Sequence, residues 1–187
     1  SQPSWDNSAI DYAYNGAPAT TAGDTYYVDN ISINGGTTGD EVTSLAARFE
    51  DKDRIVLCGM GGSSLAPEVL SKTFKRALVV VDSTDPNYIA HALNGDLSKT
   101  VFVVSSKSGS TIETSSQRAL FQQKIVDAGL NPIDHMVFVT DPGSGLDIET
   151  RAAGFSVINA DPNVGGRFSA LSAFGVVPAV LAGIDIW

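Results

Sequence analysis

Residues 103–114 read VVSSKSGSTIET, and this stretch decides how the rest of the chain is read. An apolar β-branched run ends abruptly at Ser105. Small and polar residues follow, among them Ser106, Lys107, Ser108, Gly109 and Ser110. A helical pattern begins at about Thr111. Strand, hydroxyl-rich loop and helix start therefore follow one another directly. Such a junction presents unpaired backbone N–H groups and the positive end of a helix dipole to one point in space. The ligand that suits it is a phosphate or another compact anion.

The flanking chain repeats the same grammar. Arg54–Cys58 (RIVLC), Ala77–Val81, Thr100–Val104, Met136–Val139 and Phe155–Ile158 are short apolar runs, as expected of strands covered on both faces. Helical patterns lie between them. Val42–Phe49 reads as a short helix, and Ser64–Phe74 as a helix with Leu65, Val69 and Leu70 inward and Pro67 tolerated in its first turn. Asp85 is the expected N-cap of the helix carrying Ile89, Ala90 and Leu93. Thr111–Ala128 is a long helix bearing Ala119, Leu120 and Ile125, stopped by Gly129. Gly145–Ala153 is the next, and Ser169–Gly183 is a helix apolar nearly all round. Alternating strands and helices argue for an α/β fold, a three-layer αβα sandwich around a five-stranded parallel sheet. The common solution for five right-handed βαβ units is the flavodoxin-like order 2-1-3-4-5.

In that order ligands bind beyond the carboxyl ends of the strands, where the chain reverses between the first and third strands. The loops there are Gly59–Ser63 and Ser105–Ser110, also the two most Gly/Ser-rich strand-to-helix loops. Glycine lets backbone approach an oxyanion closely. Ser63, Ser106, Ser108, Ser110 and Thr111 carry hydroxyl donors, and Lys107 carries a charge. The bland reading is that these serines only cap helices. A dinucleotide site is the chemical alternative, since Gly59-Met60-Gly61 opens a G-x-G-x-x-G pattern and Asp82 ends the second strand. Ser64 stands at its third glycine, however, and no G-x-x-x-x-G-K-[ST] phosphate loop occurs. Arg167, in Gly165-Gly166-Arg167-Phe168-Ser169, follows the fifth strand at the same end of the sheet. A cation at a helix start opposes the dipole, and an anionic ligand would explain it.

The chain has 187 residues, 43% hydrophobic and 18% charged, with a net charge of −9. That is enough for one good core. The acidic balance argues against nucleic acid and anionic membranes as partners, and the densest basic cluster, Lys72, Lys75 and Arg76, is small. No run of 18 or more apolar residues suggests a membrane span. The opening SQPSWDNSAI lacks the basic and apolar regions of a signal peptide. The single cysteine, Cys58, excludes an internal disulfide framework and fits a reducing, cytoplasmic setting. No metal-ligand spacing appears, and no cofactor is implied. His91 and His135 read as structural or solvated. Residues 1–42 differ in texture. They are rich in Thr, Asn, Gly, Asp and Tyr, and Thr25–Ile33 is their one strand-like run. Asn34–Gly39 reads as a linker. The expected division is therefore an irregular or foreign segment over 1–42 and a globular domain over 43–187.

Together, Gly59–Pro67 (GMGGSSLAP), Ser105–Thr114 (SSKSGSTIET) and Gly165–Ser172 (GGRFSALS) resemble the glucose-6-phosphate isomerase family. The first two loops mark the broader sugar-isomerase (SIS) fold, and the third is more specific to the isomerase. The wording is similar to bacterial forms, including those fused to transaldolase, over about residues 44–185. The resemblance implies conversion of glucose 6-phosphate to fructose 6-phosphate through an enediolate, a cytoplasmic step of glycolysis and gluconeogenesis. It places the phosphate of a hexose 6-phosphate on Gly62, Ser63, Ser106, Lys107, Ser108 and Thr111. Gly166 and Arg167 match the segment near the reacting carbons, with arginine stabilising the enediolate.

The family carries a second SIS domain that supplies a glutamate base, and a histidine and lysine for ring opening. Nothing in 43–187 matches those segments. The expectation is a sugar-phosphate-binding half that is inactive alone. It should associate as a homo-oligomer or with a second SIS domain, leaving part of the apolar Ala170–Ile184 helix open without it. Two other functions are weighed. One is a single SIS module that senses a phosphosugar, against which GGRFS argues because a sensor needs no enediolate stabiliser. The other is a carbohydrate-binding-module remnant at the N-terminus.

Overall fold

The computed structural model describes residues 39–185. The strand expected at Thr25–Ile33, and with it the carbohydrate-binding-module reading, lies outside the described residues.

Strands β1 (Arg54–Gly59), β2 (Val79–Val81), β3 (Thr100–Ser105), β4 (Met136–Thr140) and β5 (Ser156–Asn159) form one parallel sheet in the order β2-β1-β3-β4-β5. This is the expected order. The continuous apolar runs are explained by burial on both faces. Odd-numbered residues of the central strands, such as Leu57, Val101, Val103, Val137 and Val139, face one core. Val56, Cys58, Phe102, Val104 and Phe138 face the other.

Helices α1 (Gly39–Arg48) and α6 (Ala173–Leu181) cover the first face, with Val42, Leu45, Phe49, Phe174 and Val177 in its core. Helix α1 begins before the expected Val42 and crosses the 42/43 boundary drawn from composition. Helices α3 (Pro86–Leu93), α4 (Ile112–Asp127) and α5 (Gly145–Ala152) cover the second. There Phe121 of α4 stacks on Phe102, with ring centroids 4.7 Å apart. Helix α2 (Leu65–Thr73) follows β1 and packs beside α6.

The face of α2 differs from expectation, and packing sets those of α3 and α4. In α2, Pro67 and Ser71 are buried while Leu65 and Val69 are exposed. In α3 the buried residue is Ala92, not Ala90. In α4 the inward residues are Thr114, Gln117, Phe121 and Ile125, and Ala119 and Leu120 face out. Backbone carbonyls satisfy some of these inward polar groups, while Thr114 Oγ1 and Gln117 Oε1 have no hydrogen-bond partner among the described residues. Ser71 Oγ donates to Glu68 O at 2.9 Å, and Gln117 Nε2 to Ser83 O at 3.0 Å.

The largest departure is at the end of the chain. The expected helix 169–183 is split into a 3-10 segment, Gly166–Leu171, and α6. Ser172 makes the break by accepting from Phe174 N at 3.3 Å. The two pieces approach so closely that a Cβ on Gly175 would lie 1.7 Å from Ala170 O. Every residue of 173–179 is buried, and the open part of the stretch is its start, at Ala170 and Leu171. The exposed apolar side chains of this region are Leu65, Val69, Phe168 and Leu171. No helix among the described residues is long and apolar enough to cross a membrane.

Candidate functional site

Register sets the site. Gly59 and Ser105, the last residues of β1 and β3, are direct partners across the ladder. Both loops therefore leave the sheet at the same level, one strand spacing apart (about 4.8 Å). The first makes a 3-10 turn, Gly61–Ser63, and enters α2. The second runs from Ser106 to Thr111 and enters α4.

Capping separates these two helices from the others whose N-caps are defined. Asp85 accepts from Asn87 N at the start of α3, Ser144 from Asp147 N at α5, and Ser172 from Phe174 N at α6. Ser64 at α2 and Thr111 at α4 make no such bond. The helices behind the two glycine-serine loops thus keep first-turn N–H groups without a side-chain acceptor, the condition under which a helix start receives an anion. Of the hydroxyl residues that the bland reading makes caps, Thr111 stands at an N-cap and makes no cap bond.

The hydroxyls are in place for the same task. Ser106 is buried, and its Oγ donates to Thr111 Oγ1 at 3.2 Å. Ser108 is exposed, and its Oγ accepts from Ser110 N at 3.3 Å and Ser110 Oγ at 3.0 Å. Ser63 sits at the buried end of the first turn. Gly109 makes the tight bend between the serines. It has φ +70°, and a Cβ there would be 2.8 Å from Leu146 Cβ. Only glycine lets this loop lie against the start of α5 in that conformation.

The third segment reaches the same place from the far edge of the sheet. After β5 the chain returns over the carboxyl ends to the β1 loop. A Cβ on Gly62 would stand 2.1 Å from Gly166 O, so the two backbones are in direct contact. Ser169 Oγ donates to Gly166 O at 2.6 Å and lies 3.4 Å from Gly62 O. Arg167 is the next residue, exposed, with no ion pair to the described residues. It belongs to the 3-10 segment rather than to the start of α6.

Lys107 differs from expectation. Its Nζ lies 2.8 and 2.7 Å from the two carboxylate oxygens of Asp141, and donates to Asp161 O at 3.2 Å. Its charge is committed within the protein rather than offered to a ligand. Asp141 is the residue that sequence reading missed. It follows β4 as part of Asp141-Pro142-Gly143, which signals a turn but not a partner 34 residues away.

The histidines add nothing to the site. His135 is buried with Nδ1 2.9 Å from Thr100 O, and His91 lies exposed on α3. Burial pushes the Cys58 thiol well above its ordinary range, which leaves it a packing residue. Among the described residues no group of three or more His, Cys, Asp or Glu is placed to hold a metal ion. What the loops offer chemically is helix N–H groups, hydroxyls and one uncommitted guanidinium, a set suited to an anion and to developing negative charge.

Comparison with known proteins covers most of the chain. A family model described as phosphoglucose isomerase matches residues 38–187. A glucose-6-phosphate isomerase from a Cyanothece species is 38% identical over 141 residues, covering 71% of this chain and 27% of that protein. Among solved structures, a glucose-6-phosphate isomerase from Chlamydia trachomatis superposes with a TM-score of 0.67 at 33% identity. The match covers 76% of this chain and 29% of that one. A hypothetical protein from Thermus thermophilus gives 0.71 at 34% identity, over 78% and 37% of the two chains. The chain spans about a quarter to somewhat over a third of the length of the curated relatives it matches.

Proposed function

Because this chain belongs to the phosphoglucose isomerase family, we propose that its carboxyl-end loops hold a hexose 6-phosphate in the interconversion of glucose 6-phosphate and fructose 6-phosphate. The phosphate sits between the turn at Gly62 and Ser63 and the loop carrying Ser106, Ser108 and Thr111. The observation that carries this reading is the pair of helices, α2 and α4, whose starts no side chain caps. The Ser106 and Thr111 hydroxyls meet at the start of α4, and the loop that leads into α2 leaves the sheet beside theirs. A dianionic phosphate supplies acceptors for all of them.

Arg167 has a separate role. Moving a proton between the two carbons next to the reacting oxygens passes through an enediolate, whose negative charge needs a donor held in advance. Arg167 is uncommitted among the described residues and is fixed to the phosphate turn through the Gly166–Gly62 contact. In this reading the chain contributes the phosphate grip and the charge stabiliser.

Titration with fructose 6-phosphate, fructose and inorganic phosphate tests the grip. Fructose 6-phosphate should bind, and fructose should not. Replacing Ser106 and Thr111 together by Ala removes hydroxyl bonds to a charged group, worth about 1–3 kcal/mol. Affinity should then fall by roughly 5- to 150-fold. Equal binding of fructose and its phosphate ester, or unaltered affinity in the double variant, would refute the assignment.

A further inference from the structure

Lys107 lies inside the candidate phosphate loop, yet its ammonium is turned away from that task. It is held by both carboxylate oxygens of Asp141, at 2.8 and 2.7 Å, and it reaches Asp161 O at 3.2 Å and Pro162 O at 3.5 Å. Its own carbonyl accepts from Asp141 N at 3.2 Å and Thr140 Oγ1 at 3.4 Å. One residue thus joins three carboxyl-end loops: those after β3, β4 and β5. The last of these carries Gly166 and Arg167. The pair is partly withdrawn from water, with side chains 25% and 20% exposed, so its bonds are weakened less by solvent than those of a surface pair.

We propose that Lys107 and Asp141 form an interlock that fixes the phosphate loop relative to the segment bearing Arg167. Lys107 is then a positioning residue and not a phosphate ligand. Its cation neutralises Asp141, which would otherwise repel an anion at this end of the sheet. Its bonds to the Asp161 and Pro162 carbonyls anchor the returning chain where it leaves β5. Breaking the pair loosens two loops that are far apart in sequence, and it leaves the sheet beneath them intact.

The consequence for a ligand is the reverse of what direct contact predicts. Were Lys107 a phosphate ligand, Asp141→Asn would free the ammonium and tighten binding, and Lys107→Met would weaken it. In an interlock both changes weaken binding, and the second adds nothing to the first, because each removes the same interaction. The affinity part of this inference rests on the sugar-phosphate reading. The loop part does not.

The test uses the full chain with Lys107→Met, Asp141→Asn, the double variant and Lys107→Arg. Amide hydrogen exchange is followed over residues 106–111 and 161–168, with β1 and β3 as internal controls of folding. Affinity for fructose 6-phosphate is measured in parallel. Both single variants should speed exchange in both loops while the strands stay protected. Both should weaken binding at least about fivefold, with the double variant no weaker than the poorer single. Lys107→Arg, which keeps a cation for Asp141, should recover most of the affinity. Unchanged exchange in the 161–168 segment, or tighter binding by Asp141→Asn, would overturn the proposal. If Asp141→Asn fails to fold, contrasting Lys107→Met with Lys107→Arg decides it: equal exchange and affinity in the two would overturn it. If the wild type binds no fructose 6-phosphate and the loops still loosen together, the interlock stands and the sugar-phosphate reading falls.

Discussion

Gly62→Ala is the sharpest perturbation of the site because its consequence follows from one contact. A methyl there would stand 2.1 Å from Gly166 O, 2.9 Å from Gly166 C and 3.6 Å from Arg167 N. Ordinary contact begins near 3.4 Å, so the 166–167 backbone must retreat by about 1.3 Å. The obstacle is backbone on both sides, and no side-chain rotation relieves it. Overpacking of this kind costs about 1–3 kcal/mol. At this chain length the melting temperature should fall by roughly 2–12 °C.

In the proposed site the cost extends to the ligand. Arg167 moves with Gly166 and the phosphate turn at Gly62 is pushed the other way, so affinity for fructose 6-phosphate should fall along with stability. Gly166→Ala is the matched control, since a Cβ there meets nothing within 4 Å and its φ is not positive. Differential scanning calorimetry of the two variants, with titration of fructose 6-phosphate, checks the reasoning. Gly62→Ala should melt low, and Gly166→Ala should melt within about 1–2 °C of the wild type. A Gly62→Ala protein with wild-type melting and wild-type affinity would refute the close approach, and with it the placement of Arg167.

Two further outcomes are expected. Burial alone would raise the pKa of Asp147, but bonds from Gly143 N at 2.8 Å and Arg151 Nε at 2.6 Å outweigh it and hold it below its ordinary 3.8. A depressed carboxyl stabilises the fold above its unfolded pKa and loses that contribution as pH falls through the folded value. Asp147→Asn should therefore cost about 1–3 kcal/mol near neutrality, and the gap to wild type should close as acid unfolding scans pass below the ordinary carboxyl range. A gap unchanged from about pH 7 to about pH 2 would refute it. Cys58 is fully buried with its thiol pKa raised, so Ellman's reagent should label it only at the rate of unfolding; rapid labelling of the folded chain would refute its packing role.

The sheet was legible in the sequence because its signal is local. RIVLC, VFVV and MVFV are unbroken apolar runs, and a parallel strand covered on both faces needs nothing else. The strand order followed from handedness rather than from pairing, and the structure has it. Helix faces were less legible. Inward positions of α4 go to Thr114 and Gln117, which no hydrophobic period selects; Gln117 Nε2 finds Ser83 O in the loop after β2, and Thr114 Oγ1 has no partner among the described residues. The two serine-rich loops were legible as an anion cradle from composition. The fate of Lys107 was not, since its partner Asp141 becomes a neighbour only when β4 pairs with β3. The break at Ser172 was hidden for a similar reason. An apolar run carries no mark of where a 3-10 turn becomes an α-helix.

The path of the chain after β5 explains why these separate features form one site. In the order β2-β1-β3-β4-β5, three strand spacings separate β5 from β1, about 14 Å. The seven residues from Ala160 to Gly166 make six steps and span at most about 22 Å when extended. The strap therefore crosses the carboxyl ends with little slack. It is tied at its start by Lys107 to the Asp161 and Pro162 carbonyls, and at its end by the Gly62–Gly166 contact. Beyond that contact Gly175 seats α6 against Ala170 and buries 173–179 in the first core. The position of Arg167 is thus set by sheet width, one ion pair and two close glycine approaches. Packing of α6 is coupled to it, so a change in that core bears on the strands directly and on the guanidinium through the Gly175–Ala170 approach.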